Sequence, residues 1–111
     1  MPEDISETAF GKQVEELLRR FGWRFLHMNR AKSAHGRWLT NTNKEGIGFP
    51  DYLAVRKPRI IFAEIKDRLS KTSPEQDEWL VELEGCQKAV TTPEVYLWRP
   101  VDIEEIARIL R

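Results

Sequence analysis

A single cysteine in 111 residues, Cys86, excludes an internal disulfide framework and fits a reducing compartment. It has no His or Cys neighbour at ligand spacing, so neither a zinc site nor a thiol nucleophile is indicated. No apolar run approaches the ~18 residues of a membrane span. The opening MPEDISETAFGK is charged and lacks the apolar segment of a secretory signal. Ser6, Ser70 and Ser73 sit in no nucleophile elbow. There is no internal repeat and no low-complexity tract. The expectation is one soluble, cytoplasmic domain spanning residues 1–111, long enough for a core of its own.

Acidic residues are also missing from one long stretch. Between Leu17 and Lys44 there are seven basic residues and no acidic one, whereas Asp67 to Glu84 carries six acidic against two basic. The zero net charge therefore hides a polarity. A basic block reads either as a solvated face or as the footprint of a polyanion. This block also holds Trp23, Phe25, Trp38, His27 and His35, and nucleic-acid surfaces combine rings for stacking with cations for phosphates.

Periodicity organises the rest. Asp4 and Glu7 have capping-box spacing, Phe10, Val14, Leu17, Leu18 and Phe21 follow at helical intervals, and Gly22 stops the helix. Trp23 to Met28 reads as a strand. Residues 29–48 have no period and many turn formers, a loop length that is functional or disordered; its cations and Trp38 favour substrate contact. Tyr52–Val55 and Ile60–Ile65 form a hairpin, for which a four-residue loop from Arg56 to Arg59 suits Pro58 best. Ser73 caps a helix with Pro74 at its first position and Gln76 completing a capping box, and Trp79, Leu80 and Leu83 form its buried stripe. Residues 86–93 are turn-rich. A strand from Glu94 to Arg99 and a short helix from Asp102 to Leu110 complete an α-β-β-β-α-β-α order, with Asp102 and Glu105 at capping-box spacing.

The hairpin carries the chemistry. Pairing Val55 with Ile60 sets Asp51 opposite Glu64, with Lys66 on the same face two residues further on. Opposed carboxylates destabilise a sheet unless neutralised, and hard oxygen ligands suit Mg²⁺ or Mn²⁺. A loop shorter or longer by one residue would turn Glu64 to the other face.

Gly48-Phe49-Pro50-Asp51, twelve residues, then Glu64-Ile65-Lys66 resembles the signature of the PD-(D/E)xK nuclease superfamily. With Glu7, Gly22-Trp23, His27, Ser73-Pro74-Glu75-Gln76 and Trp98-Arg99-Pro100, the pattern is similar to the VRR-NUC family, especially its small stand-alone phage members. The resemblance covers nearly the whole chain. It implies a restriction-endonuclease-like αβββαβ core, α/β (α+β) in class, with a mixed four-stranded sheet flanked by helices. It also implies a Mg²⁺-dependent endonuclease acting on branched DNA such as Holliday junctions or flaps, in recombination, replication or repair, with Mn²⁺ able to substitute. Junction resolution needs two sites and hence a homodimer. A less selective nicking nuclease and a non-catalytic DNA-binding module are the alternatives.

By the same resemblance Asp51, Glu64 and the Ile65 carbonyl would hold the metal, and Lys66 would orient or deprotonate the attacking water and offset charge on the phosphate. Glu7, otherwise explained by its cap, faces inward beside Phe10 and Val14 and would complete the metal shell. Gln76 has the same double reading, as a cap or as a contact to the site. Arg30, Lys32, Arg37, Trp38 and Lys44 would contact DNA, and His27 is a phosphate contact at best.

Overall fold

The structure, a computed structural model, describes residues 4–28, 30–32, 38–40, 42–87 and 92–111, with 30–32 and 38–40 as backbone alone. Among the described residues the chain runs α1 (Glu7–Arg20), β1 (Arg24–His27), β2 (Arg30–Lys32), β3 (Trp38–Thr40), β4 (Tyr52–Arg56), β5 (Arg59–Ile65), α2 (Pro74–Gly85), β6 (Glu94–Trp98) and α3 (Ile103–Leu110). The fold is α+β. Four strands form a mixed sheet in the order β1-β4-β5-β6, with β6 parallel to β5 and the other pairs antiparallel. A parallel neighbour requires a crossover, which α2 provides. The expected αβββαβ order and terminal helix are therefore present. One addition was not foreseen: within residues 29–48, read as a loop, β2 and β3 pair as a separate antiparallel ribbon, Arg30 with Thr40 and Lys32 with Trp38. Three-residue strands are too short to display an alternation.

The cap of helix α1 lies two residues later than Asp4. It is Ser6, whose side chain accepts a hydrogen bond from the Ala9 amide at 3.0 Å. Asp4 is instead paired with Arg68 at 2.7 Å. Glu7 thus becomes the first helical residue rather than the closing member of a capping box, a position that the helix dipole favours for an acid. Gly22, at φ 78°, ends the helix in the left-handed conformation glycine adopts freely. One face of α1 buries Phe10, Val14 and Leu18 against Tyr52, Ala54, Ile61, Ala63 and Ile65 of the sheet, with Ile106 and Leu110 of α3 closing the same core. Full burial of such a side chain contributes roughly 1.5–3 kcal/mol. Gly11 allows the close approach, since a Cβ there would lie 3.2 Å from the Tyr52 hydroxyl and 3.3 Å from Ile65 Cδ1.

Other boundaries shift for local reasons. Arg56 and Arg59 are themselves paired, so the hairpin loop is two residues, Lys57 and a cis Pro58, rather than four. Asp102 accepts from the Arg99 amide at 2.9 Å and so closes a 3-10 turn at Pro100–Asp102, instead of capping α3 by a side-chain bond. Strand β6 accordingly stops at Trp98. The α2 residues Trp79, Leu80 and Leu83 are half-buried, because α2 covers only a portion of the second sheet face. Residues 88–91 of the expected turn lie outside the described residues.

At its loop end the hairpin is tied to both termini of the core. The Trp23 indole donates to the Leu110 carbonyl at 2.9 Å and is flanked by the Arg56 and Arg59 guanidinium groups, 4.7 and 4.9 Å from its ring centre. Arg56 also donates to the Phe21 and Leu110 carbonyls, and Arg59 forms a fork to Glu94 at 2.7 and 2.8 Å. Burial works to raise the Glu94 carboxyl, but hydrogen bonds from Arg59 and Tyr96 outweigh it and leave it lowered. Burial and the bond to Glu94 push the Tyr96 phenol up to about 12, and burial with Glu15 raises Tyr52 as well. A phenol raised on folding stabilises the fold fully below its ordinary value near 10, and that contribution is lost as pH climbs from there. The two tyrosines in the chain should therefore ionise together with unfolding above about pH 10. Phenolate absorbance and far-ultraviolet circular dichroism should change in step; independent, reversible phenol titration in the folded chain would contradict this.

Candidate active site

The hairpin register is the one required: Val55 pairs with Ile60, Leu53 with Phe62 and Tyr52 with Ala63. A two-residue loop closing on Arg56–Arg59 and a four-residue loop closing on Val55–Ile60 give the same register, so the shorter loop leaves every side chain on its expected face. One rung beyond the last pair stand Asp51 and Glu64. There the ladder gives way to a side chain: Asp51 Oδ2 accepts a hydrogen bond from the Ile65 amide at 2.9 Å. The Asp51 carbonyl accepts from Met28 at 2.8 Å, so strands on both sides hold this residue.

Glu64 and Lys66 leave the same strand end. Glu64 Oε2 is 3.8 Å from Lys66 Nζ and accepts from Gln76 Nε2 at 2.8 Å. The Lys66 amide donates to the Trp98 carbonyl at 3.0 Å, fixing the lysine backbone to β6. Relative exposures are 7 % for Asp51, 1 % for Glu64, 8 % for Lys66 and 3 % for Gln76. Acids and lysines are almost never this buried without partners. These four are the buried polar or charged residues among those described.

Both readings of Gln76 hold together. Its Oε1 accepts from the Ser73 amide at 2.8 Å while Ser73 Oγ accepts from the Gln76 amide at 3.1 Å, the full capping box. Because Ser73 N is a donor, the amide oxygen must face it, which turns the NH₂ to Glu64. The start of α2 is pressed against the hairpin by Gly48, at φ 89°. A Cβ there would lie 2.5 Å from the Glu75 carbonyl carbon and 2.7 Å from the Gln76 amide. Phe49 continues the contact, edge-on to Phe62 and Trp79.

The remaining candidates are more dispersed. Glu7 is half-buried in the first turn of α1. His27 stacks on Tyr52 at 4.4 Å and its Nδ1 lies 3.3 Å from Glu15 Oε2. Glu15 also accepts from the Tyr52 hydroxyl at 2.7 Å, so this network braces the residue next to Asp51. Lys44 lines a cleft of about 300 Å³ with Glu45, Ile47, Glu75, Glu78, Trp79 and Glu82, whose lining includes none of Asp51, Glu64 and Lys66. The side chains of Arg30, Lys32 and Trp38, and all of Arg37, lie outside the described residues. Glu15 and Arg99 were not singled out from sequence as site supports. Their partners are distant along the chain, and only the packing of α1 on the sheet and the pairing of β5 with β6 bring them near.

Two carboxyl groups against one amine make an oxygen-rich cluster, which suits a hard divalent cation. Among the described residues no group of three or more His, Cys, Asp and Glu side chains stands ready to hold a metal, so a cation here would take two carboxylates and complete its shell with main-chain oxygen and water. No helix among the described residues is long and apolar enough to cross a membrane. Compared with known proteins, the chain matches no family model, no curated protein and no solved structure.

Proposed function

We propose that this chain is a metal-dependent endonuclease that hydrolyses phosphodiester bonds, with branched DNA as its substrate. The observation that carries the reading is the gathering of buried Asp51, Glu64, Lys66 and Gln76 at one hairpin end, in the register their spacing predicts. The resemblance to the VRR-NUC pattern, carried by those same residues, supplies the reaction class.

In this reading Asp51, Glu64 and the Ile65 carbonyl would hold Mg²⁺, with water rather than Glu7 completing the shell. When bound, the cation supplies Lewis acidity toward the phosphate and lowers the pKa of water. Lys66 orients the attacking water and offsets charge as it builds on the phosphate oxygens. Gln76 keeps Glu64 in one rotamer, and the Ile65 amide does the same for Asp51. The basic segment from Arg30 to Lys44 contacts the DNA backbone, and a homodimer supplies the second cut at a four-way junction.

The test is incubation with a four-way junction, a flap and a linear duplex, each in Mg²⁺ and in EDTA. Cleavage in Mg²⁺ alone, strongest on the branched substrates, is the expected result. Cleavage that persists in EDTA would overturn the metal mechanism. Binding without cutting would favour the second reading, a non-catalytic DNA-binding module.

A further inference from the structure

Immediately beyond Lys66 the chain makes a tight turn with an unusual tip. Leu69 is 75 % exposed, the most exposed large apolar side chain among the described residues. Such a residue in a mobile loop would mean little, but this turn is fastened at every side. Asp67 Oδ1 accepts from the Leu69 amide at 3.0 Å and the Ser70 amide at 2.7 Å. Arg99 Nη1 donates to the Asp67 carbonyl at 2.7 Å and the Ser70 carbonyl at 2.8 Å. Arg68, on the near side of the tip, is held by Asp4. The turn thus holds Leu69 out toward solvent between Arg68, which is paired with Asp4, and the exposed Lys71, while the Asp67 carboxylate accepts from the turn's own amides.

Reach places this tip at the candidate active site. Leu69 follows Lys66 by three residues, so their Cα atoms are no more than about 11 Å apart even in a fully extended chain. On its other side the turn borders a cleft of about 200 Å³ with Asp4, Ile5 and Ser6 at the start of α1. An apolar tip with the exposed Lys71 beside it complements a ligand with anionic edges and apolar faces, which describes stacked bases between phosphates.

Resting on the nuclease reading above, we propose that Leu69 is a specificity-determining wedge that covers the exposed face of a base pair at a branch point. The physical reason is a difference in cost. In a linear duplex an inserted leucine must first unstack a base step. At a junction or flap the stack is already interrupted, so the same contact forms without that cost. Leu69 therefore adds affinity for branched DNA and little for duplex.

Binding is measured by fluorescence anisotropy in EDTA, so that no cleavage intervenes, on a four-way junction and a linear duplex of matched sequence. Leu69→Ala should lower junction affinity about tenfold, the worth of a large apolar contact, while duplex affinity stays within about twofold. Leu69→Trp should restore or exceed wild-type preference, because aromatic rings stack on bases. A 2-aminopurine beside the branch should report base contact with the wild type and Leu69→Trp but not with Leu69→Ala. Val81→Ala, an exposed apolar position on α2, should change nothing. An unchanged junction-to-duplex ratio in Leu69→Ala overturns the wedge and leaves the nuclease reading intact if Mg²⁺-dependent cleavage persists. Absence of any DNA binding by the wild-type chain overturns both.

Discussion

In about 10 mM Mg²⁺ the wild-type chain should melt about 5–10 °C higher than in EDTA, taking a dissociation constant near 1 mM. Asp51→Asn and Glu64→Gln should each abolish that shift and lower cleavage by at least about a hundredfold. The thermal shift follows from linkage, because a cation that binds only the folded hairpin end stabilises it by RT ln(1 + [Mg²⁺]/Kd), about 1.4 kcal/mol under these conditions. The paired carboxylates are 7 % and 1 % exposed, so each is withdrawn from the water that would otherwise solvate its charge. Bringing an acid into such surroundings costs several kcal/mol unless an opposite charge offsets it, and Lys66 offsets one of the two. Differential scanning fluorimetry across a Mg²⁺ series reads this independently of activity. If the two variants keep the wild-type shift, the cation binds elsewhere and the metal assignment falls.

Gly48→Ala should destabilise the fold by about 2–5 kcal/mol, combining the left-handed backbone penalty with overpacking. Gly22→Ala provides the control, since its φ is also positive but nothing lies within 4 Å of the added carbon, so it should cost only the backbone penalty, about 1–2 kcal/mol. At Gly48 the obstacle is main chain, Glu75 and Gln76, which cannot swing aside as a side-chain tip would. The first turn of α2 would have to retreat, drawing the Gln76 amide away from Glu64. Activity should then fall further than the lost folded population explains. Urea unfolding of the two variants decides it; equal destabilisation would show that α2 does not press on Gly48.

The site was legible where its geometry depends on register. Alternation of apolar residues and the Val55–Ile60 pairing placed Asp51 opposite Glu64, and both candidate loops preserved that relation. Ser73-Pro74-Glu75-Gln76 was legible because a capping box is local. Illegible features depend on partners remote in sequence. Asp4 and Ser6 are both competent caps, and the choice was made by Arg68, which takes Asp4. Asp102 was drawn from α3 by the Arg99 amide. The ribbon of β2 and β3 has too few residues for a period, and the embrace of Trp23 by two arginines joins residues more than 30 positions apart.

That embrace bears on the far end of the hairpin. With Arg56 and Arg59 bolted to Trp23, Leu110 and Glu94, the hairpin behaves as a beam clamped at its closed end, while like charges crowd its open end. Repulsion between Asp51 and Glu64 meets a support that cannot splay from the turn side. The hairpin can thus hold both acids poised before any counter-charge arrives, so the site is preset by a joint built at the opposite extreme of the same two strands.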